Sequence, residues 1–100
     1  MHKKIYSKGR QARKVSFYHQ LEHIALGEVI ESFYIERGFN QQDFAQVTGI
    51  DKRHLRRIEK GIVDMKIDTL FIIADALDIS LLQLFEEMER VKERLKKLDK

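Results

Sequence analysis

The chain contains no cysteine, so a disulfide framework, a thiol nucleophile and cysteine-ligated zinc are all excluded, and stability must come from packing. Proline is absent as well and glycine occurs only five times, which lets helices run on and makes each glycine a punctuation mark. No apolar run approaches the roughly 20 residues that a membrane-spanning helix needs, and the first residues are basic without the apolar stretch of a secretory signal. These absences predict a protein that stays in the compartment of its synthesis, and a cytoplasmic location is expected. What remains, 100 residues with 43% apolar side chains, is material for one compact core.

Charge is unevenly placed. Residues 1–14 hold Lys3, Lys4, Lys8, Arg10, Arg13 and Lys14 and no acid, a local charge of +6. Residues 51–60 hold Lys52, Arg53, Arg56, Arg57 and Lys60 against Asp51 and Glu59, a local charge of +3. Taking both from the net charge of +3 leaves −6 on everything else, so two short basic segments sit on an acidic body. An anionic polymer selects such asymmetry, although a terminal run of bases is equally read as a solvated tail.

The apolar pattern predicts helices throughout. Leu26, Ile30 and Phe33 form one stripe, running to about Arg37; Phe17, Leu21, Ile24 and Ala25 form another about 150° out of phase with it. The helix therefore either bends near Gly27, where glycine costs up to about 1 kcal/mol relative to alanine, or continues and buries opposite sides against different partners. Asn40 is placed to cap a short helix ending near Thr48 that buries Phe44, Ala45 and Val47. Asp51 caps the next, which buries Leu55 and Ile58 and turns Lys52, Arg53, Arg56 and Arg57 outward. Gly38, Gly49 and Gly61 stand where left-handed residues end helices, and Gly9 lies in the basic N-terminal arm. A fourth helix, about Asp68 to Leu77, is almost wholly apolar and is expected at the centre of the core. Ser80 and Gln83 form a capping box opening a long last helix, whose Leu81, Leu84, Met88, Val91, Leu95 and Leu98 make a heptad seam. Glu86 with Arg90 and Glu93 with Lys97 are its expected i,i+4 pairs.

Catalytic patterns are missing: there is no nucleophile elbow, phosphate loop or paired-carboxylate arrangement, and the chain reads as no enzyme. His19 and His23 lie four apart, but the intervening Glu22 does not reproduce a zinc-binding HExxH order, and no metal or cofactor is expected.

Two short helices around a glycine turn, the second capped by an acid and carrying bases, form a helix-turn-helix arrangement. The first helix braces against a DNA backbone while the second is thin enough to enter the major groove. On these residues the stretch from Leu26 to Glu87 resembles a Cro/C1-type (XRE-family) helix-turn-helix domain. The matching positions are Gln41, Phe44-Ala45, Gly49-Ile50, Leu55, Ile58-Glu59-Lys60-Gly61, Leu70, Ala74-Asp75-Ala76-Leu77, Ile79-Ser80 and Leu84. The resemblance implies an all-α, lambda-repressor-like five-helix domain over residues 26–87, preceded by a basic arm and helical extension (1–25) and followed by a helical extension (88–100). It also implies that Gln41 touches a phosphate and braces the reading helix, that Lys52, Arg53 and Arg57 face bases with His54 beside them, and that Lys60 lies near the backbone. Gln42 and Arg56 complete the expected DNA-binding set, with Arg53 the first choice for bidentate contact to guanine. Glu59 resembles a structural glutamate of the family. Departures are Tyr34, where the family often has arginine, the Met65-Lys66 loop, and apolar Ile72 and Leu82, whose surface calls for cover by residues 1–25 or another subunit.

The implied function is a regulator of transcription that reads double-stranded DNA as a homodimer on an inverted repeat, with half-sites about 34 Å apart. The heptad seam either pairs with a second chain or folds back on Phe17, Leu21 and Ile24, and the dimer is the favoured reading. A restriction-modification controller is a subtype of this class. The alternative is an antitoxin whose extensions grip a toxin while the same domain binds DNA.

Overall fold

The computed structural model describes residues 20–98, which form five helices and no strand: α1 (Gln20–Glu36), α2 (Gln41–Thr48), α3 (Lys52–Lys60), α4 (Ile67–Leu77) and α5 (Leu81–Leu98). The basic arm, Phe17 and His19 lie outside the described residues.

α1 is one continuous helix, and its two out-of-phase stripes serve two partners. Its most extensive packing is with α5, and the next is with α3. Ala25, Leu26, Val29, Ile30 and Tyr34 are consequently all buried, which leaves little of α1 for solvent beyond Gln20, Glu31, Ser32, Ile35 and Glu36. Gly27 is explained by this crowding. A Cβ at that position would stand 2.4 Å from the carbonyl oxygen of Ile58 and 2.5 Å from that of Glu59, so only glycine lets the end of α3 rest on the α1 backbone. The contact is reciprocal at Gly61, where φ is +73° and a Cβ would meet the Ile24 Cα at 2.7 Å. His23 Nε2 stands 3.5 Å from Asp64 Oδ1 in the loop that follows.

The heptad seam folds back onto α1. Leu84 is fully buried and Met88 and Val91 are half-buried, while the last seam residue, Leu98, is 71% exposed. Lys92 Nζ bridges Glu22 at 3.2 Å and Arg94 pairs with Glu28, so ion pairs flank the apolar contact. Within α5 the bases reach acids one turn back at i,i+3, Glu87 to Arg90, Glu89 to Lys92 and Glu93 to Lys96, and not the i,i+4 partners read from spacing. Hydrogen bonds to Glu89 and then Glu22 raise the Lys92 pKa. The capping box is present, with Ser80 Oγ accepting from the Gln83 amide at 3.0 Å and Gln83 Oε1 from the Ser80 amide at 2.9 Å.

α4 departs from expectation. Leu70, Ile73, Ala74 and Leu77 are buried, yet Ile67, Phe71 and Ile72 are 55%, 50% and 44% exposed, so the helix is apolar on both faces and covered on one. It ends at Asp78, a non-glycine residue at φ 57°, and its final carbonyl, that of Leu77, accepts from Arg37 Nε at 2.8 Å. The same guanidinium lies 5.1 Å over the Phe33 ring, tying the end of α1 to the end of α4.

Candidate nucleic-acid interface

The α2–turn–α3 unit is built by local chemistry. Asn40 Oδ1 accepts from the Asp43 amide at 2.8 Å and starts α2. At its end Thr48 Oγ1 donates to the Phe44 carbonyl and accepts from the Ile50 amide, and Gly49 takes φ +74° to turn the chain. Asp51 then accepts from the Arg53 and His54 amides at 3.1 and 3.4 Å, opening α3. Phe44, stacked on Tyr34 at 4.7 Å and edge-on to Phe39 at 5.7 Å, fixes α2 to α1. Val47, read as a core residue, is 55% exposed, because it lies about 110° round the helix from the mean direction of Phe44, Ala45 and Thr48.

Leu55 and Ile58 are only 0% and 1% exposed and hold α3 from behind. On a helix of 3.6 residues per turn, Arg53, Arg56, Arg57 and Lys60 then fall within an arc of about 100° on the opposite side. All four are exposed, as are Lys52 and Gln42; His54, about 60° outside the arc, and Gln41 are half-buried. The bases of this segment differ from those of α5 in pairing. Arg90, Lys92, Arg94 and Lys96 each meet a carboxylate, whereas Lys52, Arg53, Arg56, Arg57 and Lys60 meet none among the described residues. A shallow cleft between α2 and α3, lined by Gln42, Gln46, Ile50 and Lys52, adjoins them, and Gln46 is a lining residue that the sequence reading did not include.

A second feature holds the site in place. Glu59 Oε2 accepts from the Tyr34 hydroxyl at 2.6 Å and Oε1 from Gln41 Nε2 at 2.8 Å, so one carboxylate joins α1, α2 and α3. Gln41 therefore does brace α3, and Tyr34 supplies a neutral donor where the resembling family often has a charged one. Burial, reinforced by the hydrogen bond to Glu59, pushes the Tyr34 hydroxyl well above its ordinary pKa. The neighbouring Glu31 is also raised, by desolvation and then by repulsion from Glu59 and Glu28. Tyr34 was legible only as an anomaly, since nothing local in the sequence joins it to a residue 25 positions away. Replacing it by phenylalanine removes one hydrogen bond to a charged acceptor, worth about 1.5–3 kcal/mol, but leaves the Gln41 bond. Tyr34→Phe is accordingly expected to lower stability by about 1.5 kcal/mol in denaturant titration with an unchanged slope.

No described helix is long and apolar enough to cross a membrane. Against known proteins, a model of the helix-turn-helix family matches residues 30–84. An uncharacterized HTH-type transcriptional regulator of Rickettsia prowazekii is 31% identical over 64 residues, covering 64% of this chain and 49% of that protein. A second, from Rickettsia conorii, is 31% identical over 64 residues, covering 64% of this chain and 51% of the relative. The chain thus spans about half the length of the curated relatives it matches. Among solved structures, the crystal structure of the clp gene regulator ClgR from C. glutamicum superposes with a TM-score of 0.66 over 72% of this chain and 91% of that one, at 22% identity, a likeness of fold. The family match takes in more than half of the chain, from the middle of α1 to the first turn of α5, and includes the glycine turn and both its helices; the chain belongs to the Cro/C1-type helix-turn-helix family.

Proposed function

We propose that this chain regulates transcription by binding specific double-stranded DNA, with α3 in the major groove and residues 26–87 as the reading domain. The observation that carries the reading is the outward arc of Arg53, Arg56, Arg57 and Lys60 with no carboxylate partner among the described residues. Such cations attract phosphates and, from a helix of this width, reach base edges. In this reading Lys52, Arg53 and Arg57 face bases with His54 beside them, Arg56 and Lys60 meet phosphates, and Gln41 and Gln42 at the start of α2 face the backbone.

The active form is a homodimer. One short reading helix gives limited affinity, and two copies with their α3 helices about 34 Å apart meet successive major grooves on one side of the duplex. Since α1 already covers most of the heptad seam, the C-terminal turn around the exposed Leu98 is the part of that seam left to join the copies.

Selection of bound duplexes from a random pool tests the whole reading. An inverted repeat with half-sites one helical turn apart is the expected product. Enrichment of an asymmetric site, together with sedimentation as a monomer at tens of micromolar, would overturn the dimer; no enrichment at all would overturn specific recognition.

A further inference from the structure

The outward side of α4 is unusual in being both apolar and acidic. Ile67, Phe71 and Ile72 are each about half exposed, and Asp68 and Asp75 lie on the same side, within an arc of about 140°. Neither aspartate has an ion-pair partner among the described residues. A surface of this kind fits an occupant that is apolar and basic.

We propose that this face seats the chain's own N-terminal segment, residues 1–19. That segment is the reciprocal of α4 in composition: Ile5, Tyr6, Val15, Phe17 and Tyr18 are spaced among six Lys or Arg with no acid. Nineteen residues reach at most about 60 Å, more than the 44 Å longest dimension of the described body, so the whole face is within range of Gln20. Tethering sets an effective concentration near the millimolar range, far above that of a free second molecule at micromolar concentration. A second copy is also disfavoured by symmetry. An isologous contact over this face sets the aspartates of one copy beside those of the other, and like charges repel.

The consequence rests on the function proposed above: the same bases serve α4 in the free protein and phosphates in the complex, so the acidic face holds the arm back from non-specific DNA. The docking itself does not depend on that reading.

Because the chain has no cysteine, a spin label at Ser7→Cys reports the arm's position in the full-length protein without background. Amide signals of Phe71 and Ile72 are expected to lose most of their intensity through paramagnetic broadening while those of α3 keep theirs. Asp68→Asn combined with Asp75→Asn, both exposed and therefore safe for folding, is expected to abolish that loss. Broadening spread evenly over the protein, or unchanged in the double variant, would overturn the proposal. Equal broadening in an isotope-labelled chain mixed with a separate spin-labelled chain would assign the face to a second copy and overturn it too. Addition of a short duplex of mixed sequence is expected to restore the Phe71 and Ile72 signals. If α3 signals shift on duplex binding and the α4 broadening persists, the competition fails; if nothing shifts, the DNA reading fails and the docking result still stands.

Discussion

Gly27→Ala is expected to destabilise the protein by about 2 kcal/mol, against the ordinary rule that alanine in place of a mid-helix glycine stabilises by about 1 kcal/mol. The sign is set by what the new methyl group meets. Its neighbours are the backbone carbonyl oxygens of Ile58 and Glu59 at 2.4 and 2.5 Å, and backbone cannot swing aside as a side-chain tip can. Overpacking of this kind costs about 1–3 kcal/mol and occasionally more, so the clash outweighs the gain in helix propensity. For a domain of this size the loss corresponds to a fall in melting temperature of about 8–16 °C. DNA affinity should fall further than the unfolded fraction explains, because relief of the clash displaces the carboxyl end of α3. A Gly27→Ala protein that melts higher than the parent would show that α3 does not rest on α1 as described.

The second large effect separates reading from holding. Arg53→Ala removes a side chain exposed on the outward arc of α3 and is expected to erase preference at one base pair, a loss of about 1–3 kcal/mol or roughly 5- to 150-fold for the preferred site alone. Lys60→Ala, on the same arc one residue before the Gly61 turn, is expected to weaken all sequences alike and to reduce the slope of log affinity against log salt by about one unit. Binding isotherms on the selected site, a single-base variant and mixed-sequence DNA at several salt concentrations measure both. Identical behaviour of the two variants would remove the division between base-facing and phosphate-facing positions.

How far the fold could be read in advance depended on the range of the interaction. The caps at Asn40, Asp51 and Ser80 and the left-handed turns at Gly49 and Gly61 are settled by atoms a few residues apart, and the sequence displays them directly. The cationic arc of α3 was legible for the same reason, since the spacing of Leu55 and Ile58 decides which way Arg53 and Arg57 point. Interactions over long sequence separations were not. Tyr34 meets Glu59 across 25 positions and Arg37 meets the Leu77 carbonyl across 40, pairings that composition and period leave open. Asp78 in a left-handed conformation was hidden because aspartate takes that region far less often than glycine does. Phe71 and Ile72 misled in the opposite direction: an apolar residue shows a demand for cover without saying whether its own chain supplies it.

The sorting of charge between α3 and α5 has a practical corollary. Around α5 four bases, Arg90, Lys92, Arg94 and Lys96, are matched to acids of the same chain, and exposed pairs of this kind contribute little to folding and lose little when screened. On α3 the bases have no carboxylate partner among the described residues, and in the function proposed above their counter-charge is DNA, whose attraction collapses as ionic strength rises. Concentrated sodium chloride therefore acts as a selective eluent, stripping carried-over nucleic acid from the molecule during chromatography while leaving its helical framework assembled.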